Sequence, residues 1–300
     1  MYFSTANPGM KYGGVMGESK FKVLSSIPDQ YIPGTHLLRA PISLSRILRI
    51  IHNEGISYPF IIKPDVGERG RDVELVHSEQ ELVEYLKSKS FDLIIQEYVE
   101  GGLEFGILYH RIPGKEKGKI TSVVEKGFLS VTGDGKTTLR ELIEKEIRAV
   151  GRLDYLLDKF KKKADSIVPK GEKLALEPIG NHCRGTTFYN ANQLINDNLT
   201  DIFDKIAKQI DGYFYGRFDL KVPSLPDLYA GQNIKILELN GVSSEVAHIY
   251  DPDYKLMNAY RDIAAHMKYI YTIAKKNHDL GIPYDSLFEF LEDLKAHFKK

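Results

Sequence analysis

The sequence contains a single cysteine, has no excess of either charge and lacks a long apolar run, and each shortage excludes a class of protein. Cys183 alone cannot form an internal disulfide or a cysteine-based zinc cluster, which suits a reducing compartment. Basic and acidic residues number 41 each, so no overall field favours nucleic acid or an anionic membrane. No apolar run approaches the ~20 residues of a membrane span.

The N-terminus, Met1–Thr5, has neither a basic region nor a long apolar region, so no export signal is visible. With 300 residues, 42% of them hydrophobic and 27% charged, the chain has the composition of an ordinary globular protein with a substantial core. We therefore expect a cytoplasmic protein with no nucleic-acid partner and no membrane partner.

The most informative stretch, Tyr215–Gly241, contains two strand patterns that carry polar residues on one face. Because strand side chains alternate, Arg217 and Asp219 share a face of the first strand. Glu238 and Asn240 share a face of the second. If the strands pair, two carboxylates and an amide converge beside an arginine, a set of oxygen ligands that suits Mg²⁺, which usually arrives carrying phosphates. The alternative is an amphipathic surface hairpin with a solvated polar face.

Strands alternate with one helix over residues 58–128, and this pattern predicts a compact α+β lobe. The predicted strands are Tyr58–Pro64, Asp72–Val76, Phe91–Val99, Glu104–Arg111 and Lys119–Gly127, and the predicted helix is Ser78–Ser88. Residues 1–57 are expected to be an entry segment with two helices, Glu18–Ile27 and Ile42–Glu54.

Residues 129–300 are expected to form a larger lobe. Its predicted helices are Thr137–Val150, Arg152–Lys163, Asn198–Gln209, Tyr254–Asn277 and Ser286–His297, and its further strands are Lys173–Ile179 and Thr186–Ala191. In the first of these helices the apolar stripe includes Ile147.

Lys63 ends a buried strand immediately before a loop, residues 65–71, that contains Gly67 and Gly70. Glycines let backbone amides approach a phosphate, and the lysine supplies a point charge. The loop is not a P-loop, because no Gly-Lys-Ser/Thr follows it. The alternative is a tight β-turn.

Residues 96–105 join two predicted strands through Gly101 and Gly102. The backbone of such a hinge could hydrogen-bond an adenine edge, and Glu104 could accept hydrogen bonds from ribose hydroxyls. The alternative is an ordinary turn with a surface glutamate.

Together these pieces resemble the ATP-grasp superfamily of carboxylate–amine ligases in both order and spacing. The resemblance covers about Lys20 to Pro252. The hinge and metal strands are similar to those of D-alanine–D-alanine ligase. Val131–Leu142 resembles a segment of cyanophycin synthetase and of the glutathione-synthesising ATP-grasp modules. Asn181–Gly185 is similar to a motif in the ligases that add glutamate to a protein C-terminus.

The resemblance implies an α+β, two-lobed ATP-grasp fold that holds ATP between the small lobe and a larger lobe with a mainly antiparallel sheet. It also implies site residues in three groups. The nucleotide-binding residues would be Lys20, Lys63, Gly67, Gly70, Glu97, Tyr98, Val99 and Glu104. The ligands of two Mg²⁺ ions, or of Mn²⁺, would be Asp219, Glu238 and Asn240. The catalytic residues would be Arg217, facing the γ-phosphoryl group and the later oxyanion, and Arg184.

Two departures from the resemblance concern the substrate. The ligases usually have a full N-terminal α/β domain before the first lysine, whereas here residues 1–57 are expected to be its remnant. After Asn240 the dipeptide ligases carry a Ser-Pro-Gly element, whereas this chain reads Gly241–Val246, which argues against D-alanine as the substrate. Ser244 and His248 lie where substrate could be held, although a lone histidine is more often structural.

The resemblance implies an ATP- and Mg²⁺-dependent ligase that joins a carboxylate to an amine of an amino acid or peptide through an acyl phosphate. One alternative is an ATP-grasp phosphotransferase that leaves the γ-phosphoryl group on a small molecule. The other is a non-catalytic ATP-binding module. A homodimer is a further expectation.

Overall fold

Helices and antiparallel sheets make up the fold, which is known from a computed structural model that describes residues 1–67, 70–180 and 182–298. The strands are β1 (Thr35–Leu38), β2 (Phe60–Pro64), β3 (Glu74–Val76), β4 (Leu93–Glu97), β5 (Leu103–His110), β6 (Lys119–Gly127), β7 (Ser130–Thr132), β8 (Lys173–Ala175), β9 (Thr187–Asn190), β10 (Tyr215–Val222) and β11 (Lys235–Asn240). The helices are α1 (Lys20–Leu24), α2 (Leu44–Asn53), α3 (Glu79–Leu86), α4 (Leu139–Lys145), α5 (Leu153–Lys159), α6 (Asp197–Lys208), α7 (Leu225–Ala230), α8 (Leu256–Asp279) and α9 (Leu287–Phe298).

The chain divides into two compact units, Met1–Glu125 with Asn190–Lys300 and Lys126–Tyr189. These boundaries differ from the predicted division into residues 1–57, 58–128 and 129–300, which stays a prediction. The second unit contains the pair β7–β8, helices α4 and α5, and a core of its own that includes Ile143, Leu156 and Leu176. The α+β class predicted from the sequence is confirmed.

The first sheet of the larger unit has the strand order β1–β4–β2–β3, with every pair antiparallel. Phe60 and Ile62 of β2 point into a core that Ile47 of α2 and Leu82 of α3 complete. Strand β2 lies between β4 and β3, and Lys63, which follows Ile62, is also buried.

The second sheet contains the antiparallel order β11–β10–β5–β6. Phe218 and Leu220 of β10 pack on Phe203 and Ile206 of α6, in a core that also takes Leu24 of α1. One face of β10 is therefore apolar, as the alternation of its residues predicts, and its polar residues lie on the other face.

Four local differences separate the predicted elements from the structure. The helix predicted over Thr137–Val150 ends at Lys145, because Glu146 is extended and its side chain accepts a hydrogen bond from the Arg148 amide, which starts a separate 3-10 turn. Ile147 is 85% exposed and is not part of a buried stripe. Strand β1 and helix α7 were not predicted.

A buried group of histidines and tyrosines lies beneath the second sheet. The His266 Nδ1 atom is 3.0 Å from the Tyr215 hydroxyl, and the His110 ring stacks on Tyr269 with 4.1 Å between ring centroids. Burial, with a smaller contribution from neighbouring positive charges, lowers the pKa of both histidines from 6.5 to about 4. Both are therefore neutral at pH 7.

Acid is expected to destabilise the fold through these histidines. Between pH 6.5 and 4 the unfolded chain binds their protons and the folded chain does not, so the free energy of unfolding falls as the pH falls. Their contribution is complete above pH 6.5. We expect the melting temperature to drop by at least about 4 °C from pH 6.5 to 4.5, measured by circular dichroism. His266→Asn should flatten this dependence, whereas His52→Asn, at an exposed position of α2, should not. Equal slopes in all three proteins would contradict the assignment.

Candidate active site

The pairing of β10 with β11 brings together the residues that the sequence predicts for a metal site. Asp219 lies opposite Glu238, and Arg217 lies opposite Asn240. The Arg217 guanidinium holds the Asp219 carboxylate through Nε–Oδ1 and Nη2–Oδ2 contacts of 3.1 and 3.0 Å. The Asn240 amide nitrogen donates to Asp219 Oδ2 at 3.0 Å. The predicted convergence of polar side chains on one face is therefore present.

Gly106 on the neighbouring strand β5 makes room for this group. It lies opposite Asp219, and a Cβ atom there would come within 3.1 Å of Arg217 Cδ and 3.2 Å of Asp219 Oδ1. The same atom would be 2.9 Å from Val124 Cγ2. Because glycine has no Cβ, the arginine and the aspartate lie flat across β5.

Electrostatics keep Arg217 charged in spite of its burial. Desolvation alone would lower the pKa of this guanidinium, but the attraction and hydrogen bonds of Asp219 outweigh it, and the resulting pKa is raised. Glu238 and Glu245 act in the same direction. Arg217 is thus a permanent cation beside the predicted metal ligands.

Lys63 reaches from the first sheet to the second. Its Nζ atom donates to Gln96 Oε1 at 2.9 Å and to the Leu237 carbonyl at 3.3 Å. Burial lowers the pKa of Lys63 to about 8, against the attraction of Glu238. Gln96 was not among the predicted site residues, although it is the first residue of the predicted hinge segment and its inward position on a buried strand is a usable signal.

Lys20 contacts the carboxylate of Glu238, the residue that follows Leu237. Its Nζ atom is 2.5 Å from Glu238 Oε1. Asp65 holds the helix that carries it, because its Oδ1 atom accepts from the Ser19 hydroxyl and the Phe21 amide, both at 2.9 Å. Lys22, on the same short helix, is exposed. Of the two lysines, only Lys20 therefore contacts Glu238 among the described contacts, and Asp65 is a positioning residue that the sequence analysis missed.

The glycine loop is described in part. Gly67 lies beside Pro64, where a Cβ atom would be 3.3 Å from the proline Cβ, and Gly70 has φ of 69°, in the left-handed region. Glu68 and Arg69 lie outside the described residues. The predicted phosphate contact of this loop stays a prediction.

The predicted adenine hinge is held by a lysine that the sequence analysis did not assign to the site. Lys221 Nζ donates to the Val99 carbonyl at 2.8 Å and lies 5.2 Å from the centre of the Tyr98 ring. Lys221 is also opposite Glu104 across β10 and β5, and both residues are buried. Its signal was its position on the same strand face as Asp219.

Glu97 turns away from this lysine. Its amide donates to the Gly34 carbonyl at 2.8 Å, and its Oε2 atom accepts from the Gly34 amide at 3.2 Å. Glu97 thus fixes the chain that leads into β1, and its predicted contact with adenine stays a prediction.

Arg184 lies in the second unit and belongs to a buried ionic group. Its Nη1 atom is 3.4 Å from Glu177 Oε1, and Arg152 Nη1 is 2.5 Å from Glu177 Oε2. Glu177 is 2% exposed. Arg152 and Glu177 were not predicted, and their separation from Arg184 in sequence left no signal. Asn181, the first residue of the predicted motif, lies outside the described residues.

Ser244 and His248 have contacts that fix the chain after Asn240. The Ser244 hydroxyl accepts from the Arg217 amide at 3.1 Å and donates to the Gly241 carbonyl at 2.6 Å. His248 is buried, with Nδ1 2.8 Å from the Ser122 hydroxyl and Nε2 3.2 Å from Asp262 Oδ2. These contacts favour the structural interpretation of His248.

The donor set fits a hard cation. Asp219 and Glu238 supply carboxylates and Asn240 an amide oxygen, and Glu238 is 36% exposed, so it is accessible. No group of three or more His, Cys, Asp or Glu residues suited to a metal occurs in the part of the chain that the structure describes. A metal here would therefore depend on the amide and on ligand oxygens.

The predicted resemblance to cyanophycin synthetase is found again in the comparison with known proteins. In sequence the chain is similar to the cyanophycin synthetase of Synechocystis sp., with 26% identity over 219 residues that cover 66% of this chain and 24% of that protein. It is 24% identical over 214 residues to the cyanophycin synthetase of Geminocystis herdmanii, covering 64% of this chain and 24% of that protein. The chain thus spans about a quarter of the length of the curated relatives that it matches.

Among solved structures, the chain aligns with the D-alanine–D-alanine ligase of Coxiella burnetii at a TM-score of 0.48 and 10% identity, over 97% of this chain and 64% of that one. It aligns with a bifunctional glutathione synthetase of Pasteurella multocida at a TM-score of 0.41 and 15% identity, over 86% of this chain and 38% of that one. No protein-family model matches the chain. No helix of the described residues is long and apolar enough to cross a membrane.

The buried carboxylate of Glu177 is expected to stabilise the second unit. Glu177→Gln removes the charge between Arg152 and Arg184 and leaves two cations with weaker partners, which should lower the free energy of unfolding by about 3 kcal/mol. Hydrogen exchange of residues 126–189 measures the loss locally. Glu172→Gln, at an exposed position of the same unit, is the matched control. Equal protection in the two variants would show that the ionic group adds no stability.

Proposed function

We propose that this chain is an ATP- and Mg²⁺-dependent ligase that joins a carboxylate to an amine of an amino acid or peptide. The observation that carries the proposal is that Lys20 contacts Glu238 and Lys63 contacts the Leu237 carbonyl, on the strand pair that also carries Arg217 and Asp219. Lysines that could bind phosphate thus lie beside side-chain oxygens that could bind a metal ion, and phosphoryl transfer requires both. The similarity to cyanophycin synthetases supports the same class of reaction.

The nucleotide would lie between the two sheets of the larger unit. Lys63 and Lys20 would contact its phosphates, with Gly67 and Gly70 approaching them closely. The adenine would meet the hinge at Glu97, Tyr98 and Val99. Lys221 supports this assignment, because its contact with the Val99 carbonyl fixes the hinge backbone. Glu104 would accept from the ribose.

Asp219, Glu238 and Asn240 would hold the metal. When bound, Mg²⁺ neutralises charge on the β- and γ-phosphoryl oxygens and orients them. The residues that hold it would also set its place relative to Arg217, since Asn240 and Arg217 both contact Asp219 in the structure.

The reaction would proceed in two steps. The substrate carboxylate oxygen attacks the γ-phosphorus, the bond to the β-phosphate oxygen breaks, and ADP leaves, which gives an acyl phosphate. The amine nitrogen then attacks the carbonyl carbon, loses a proton and expels phosphate. Arg217 would stabilise the oxyanion of the tetrahedral intermediate, because its charge persists at every physiological pH. The catalytic role of Arg184, which lies in the second unit, stays a prediction from the sequence.

Cytoplasmic location and a homodimer stay predictions from the sequence. The substrates are proposed only as a class, a carboxylate and an amine of amino-acid or peptide type.

The metal ligands can be tested by substitution. Asp219→Asn and Glu238→Gln should each lower ADP release by at least about 100-fold, the order of loss when charge stabilisation is removed from an active site. The assay is ADP release over a screen of amino acids and dipeptides, followed by mass spectrometry of the product. Glu125→Gln, an exposed glutamate of the same sheet, is the control. Unchanged turnover in the first two variants would refute the metal assignment.

The product distinguishes the ligase from its alternatives. A ligase releases ADP and inorganic phosphate with a new amide, whereas a phosphotransferase releases ADP with a phosphorylated compound. A non-catalytic module would bind ATP and release no ADP in any combination of substrates.

A further inference from the structure

Each carboxylate of the proposed metal pair already has a basic side chain in direct contact. Lys20 Nζ is 2.5 Å from Glu238 Oε1, and Arg217 Nη2 is 3.0 Å from Asp219 Oδ2. Both pairs lie in the larger unit, and their two carboxylates belong to opposed residues of β10 and β11. A divalent cation that uses these oxygens must therefore compete with protein cations for them.

Further acidic and basic residues surround the pair. Glu18 lines the same small pocket as Lys20, Glu238 and Asn240, and Lys63 approaches through the Leu237 carbonyl. A divalent cation alone would add two positive charges to a group in which each of the two carboxylates already contacts a protein cation. A nucleotide triphosphate brings enough negative charge to reverse this, and its phosphates offer Lys20 an alternative partner.

The Lys20 side chain can change its ion-pair partner while the backbone of its helix stays in place. Asp65 fixes the backbone of its helix through Ser19 and Phe21, whereas the lysine stem has four rotatable carbons. Its side chain is 19% exposed and that of Glu238 is 36% exposed, so both ends of the ion pair can reach a ligand. The Arg217 side chain is held more firmly than that of Lys20, because its Nε and Nη2 atoms both donate to Asp219.

We propose that Lys20 is an internal counter-ion of Glu238, which keeps free divalent cations out of the site and moves to phosphate when a nucleotide arrives. The metal would then enter with the nucleotide and not before it. This inference rests on the proposed function for the identity of the ligands, and it adds the order in which they bind. Lys20 would thus serve both as a phosphate contact and as a barrier to unaccompanied metal.

The test measures Mn²⁺ binding to the full chain by electron paramagnetic resonance without nucleotide. We expect weak binding to the wild-type protein, at least about tenfold tighter binding to Lys20→Met, and wild-type behaviour in Lys22→Met, the exposed neighbour on the same helix. Lys20→Arg keeps the charge and should keep binding weak. If Lys20→Met proves unstable in a thermal melt, Lys20→Gln replaces it as the neutral variant, and Lys20→Arg remains the charged control.

The same titration with a non-hydrolysable ATP analogue completes the test. Mn²⁺ should then bind the wild-type protein at least about tenfold more tightly than without nucleotide, and Lys20→Met should gain less. Equal Mn²⁺ binding by the wild-type protein and Lys20→Met without nucleotide would overturn the counter-ion role. If the analogue itself does not bind the wild-type protein, the proposed nucleotide site is wrong, and the comparison without nucleotide still tests the ion pair.

Discussion

The contact of the Lys63 ammonium with the Leu237 carbonyl is the constraint on which the site depends. It joins the end of β2 to β11, and so it joins the first sheet to the second at 3.3 Å. Gln96 takes a further hydrogen bond of the same ammonium at 2.9 Å and holds it in place. A buried lysine requires such partners, because an ammonium without them is costly to remove from water. The two sheets therefore meet where a cation is held beside acidic residues.

Local backbone geometry then determines which acidic residues lie near the lysines. The register of β10 and β11 places Asp219 opposite Glu238, and the ladder shifts immediately after Asp219. Asp65 follows Lys63 by two residues and anchors the helix of Lys20, so one short segment positions both lysines. The site is thus assembled by neighbouring backbone segments of one unit.

The strand face of Arg217 and Asp219 could be predicted, because alternation in a half-apolar strand determines it from local sequence. The same alternation places Lys221 on the face of Asp219 and Gln96 inward on a buried strand, but it does not give their roles. Those roles depend on partners far along the chain, because Lys63 lies 33 residues from Gln96 and Val99 lies 122 residues from Lys221. Strand β1 was missed for a similar reason: it is four residues long and pairs with β4, far along the chain. Helix α4 ends early because Glu146 caps a new turn, a choice that apolar periodicity does not contain.

Gly106 has a practical consequence for anyone who studies this protein. Since Arg217, Asp219 and Val124 already fill the space of its missing Cβ, a single added methyl group would force these side chains to shift without altering any charge. Gly106→Ala would therefore change the shape of the site while leaving the net charge and the number of titratable groups unchanged. Such a protein would separate the effects of shape from those of electrostatics in cells and in binding experiments.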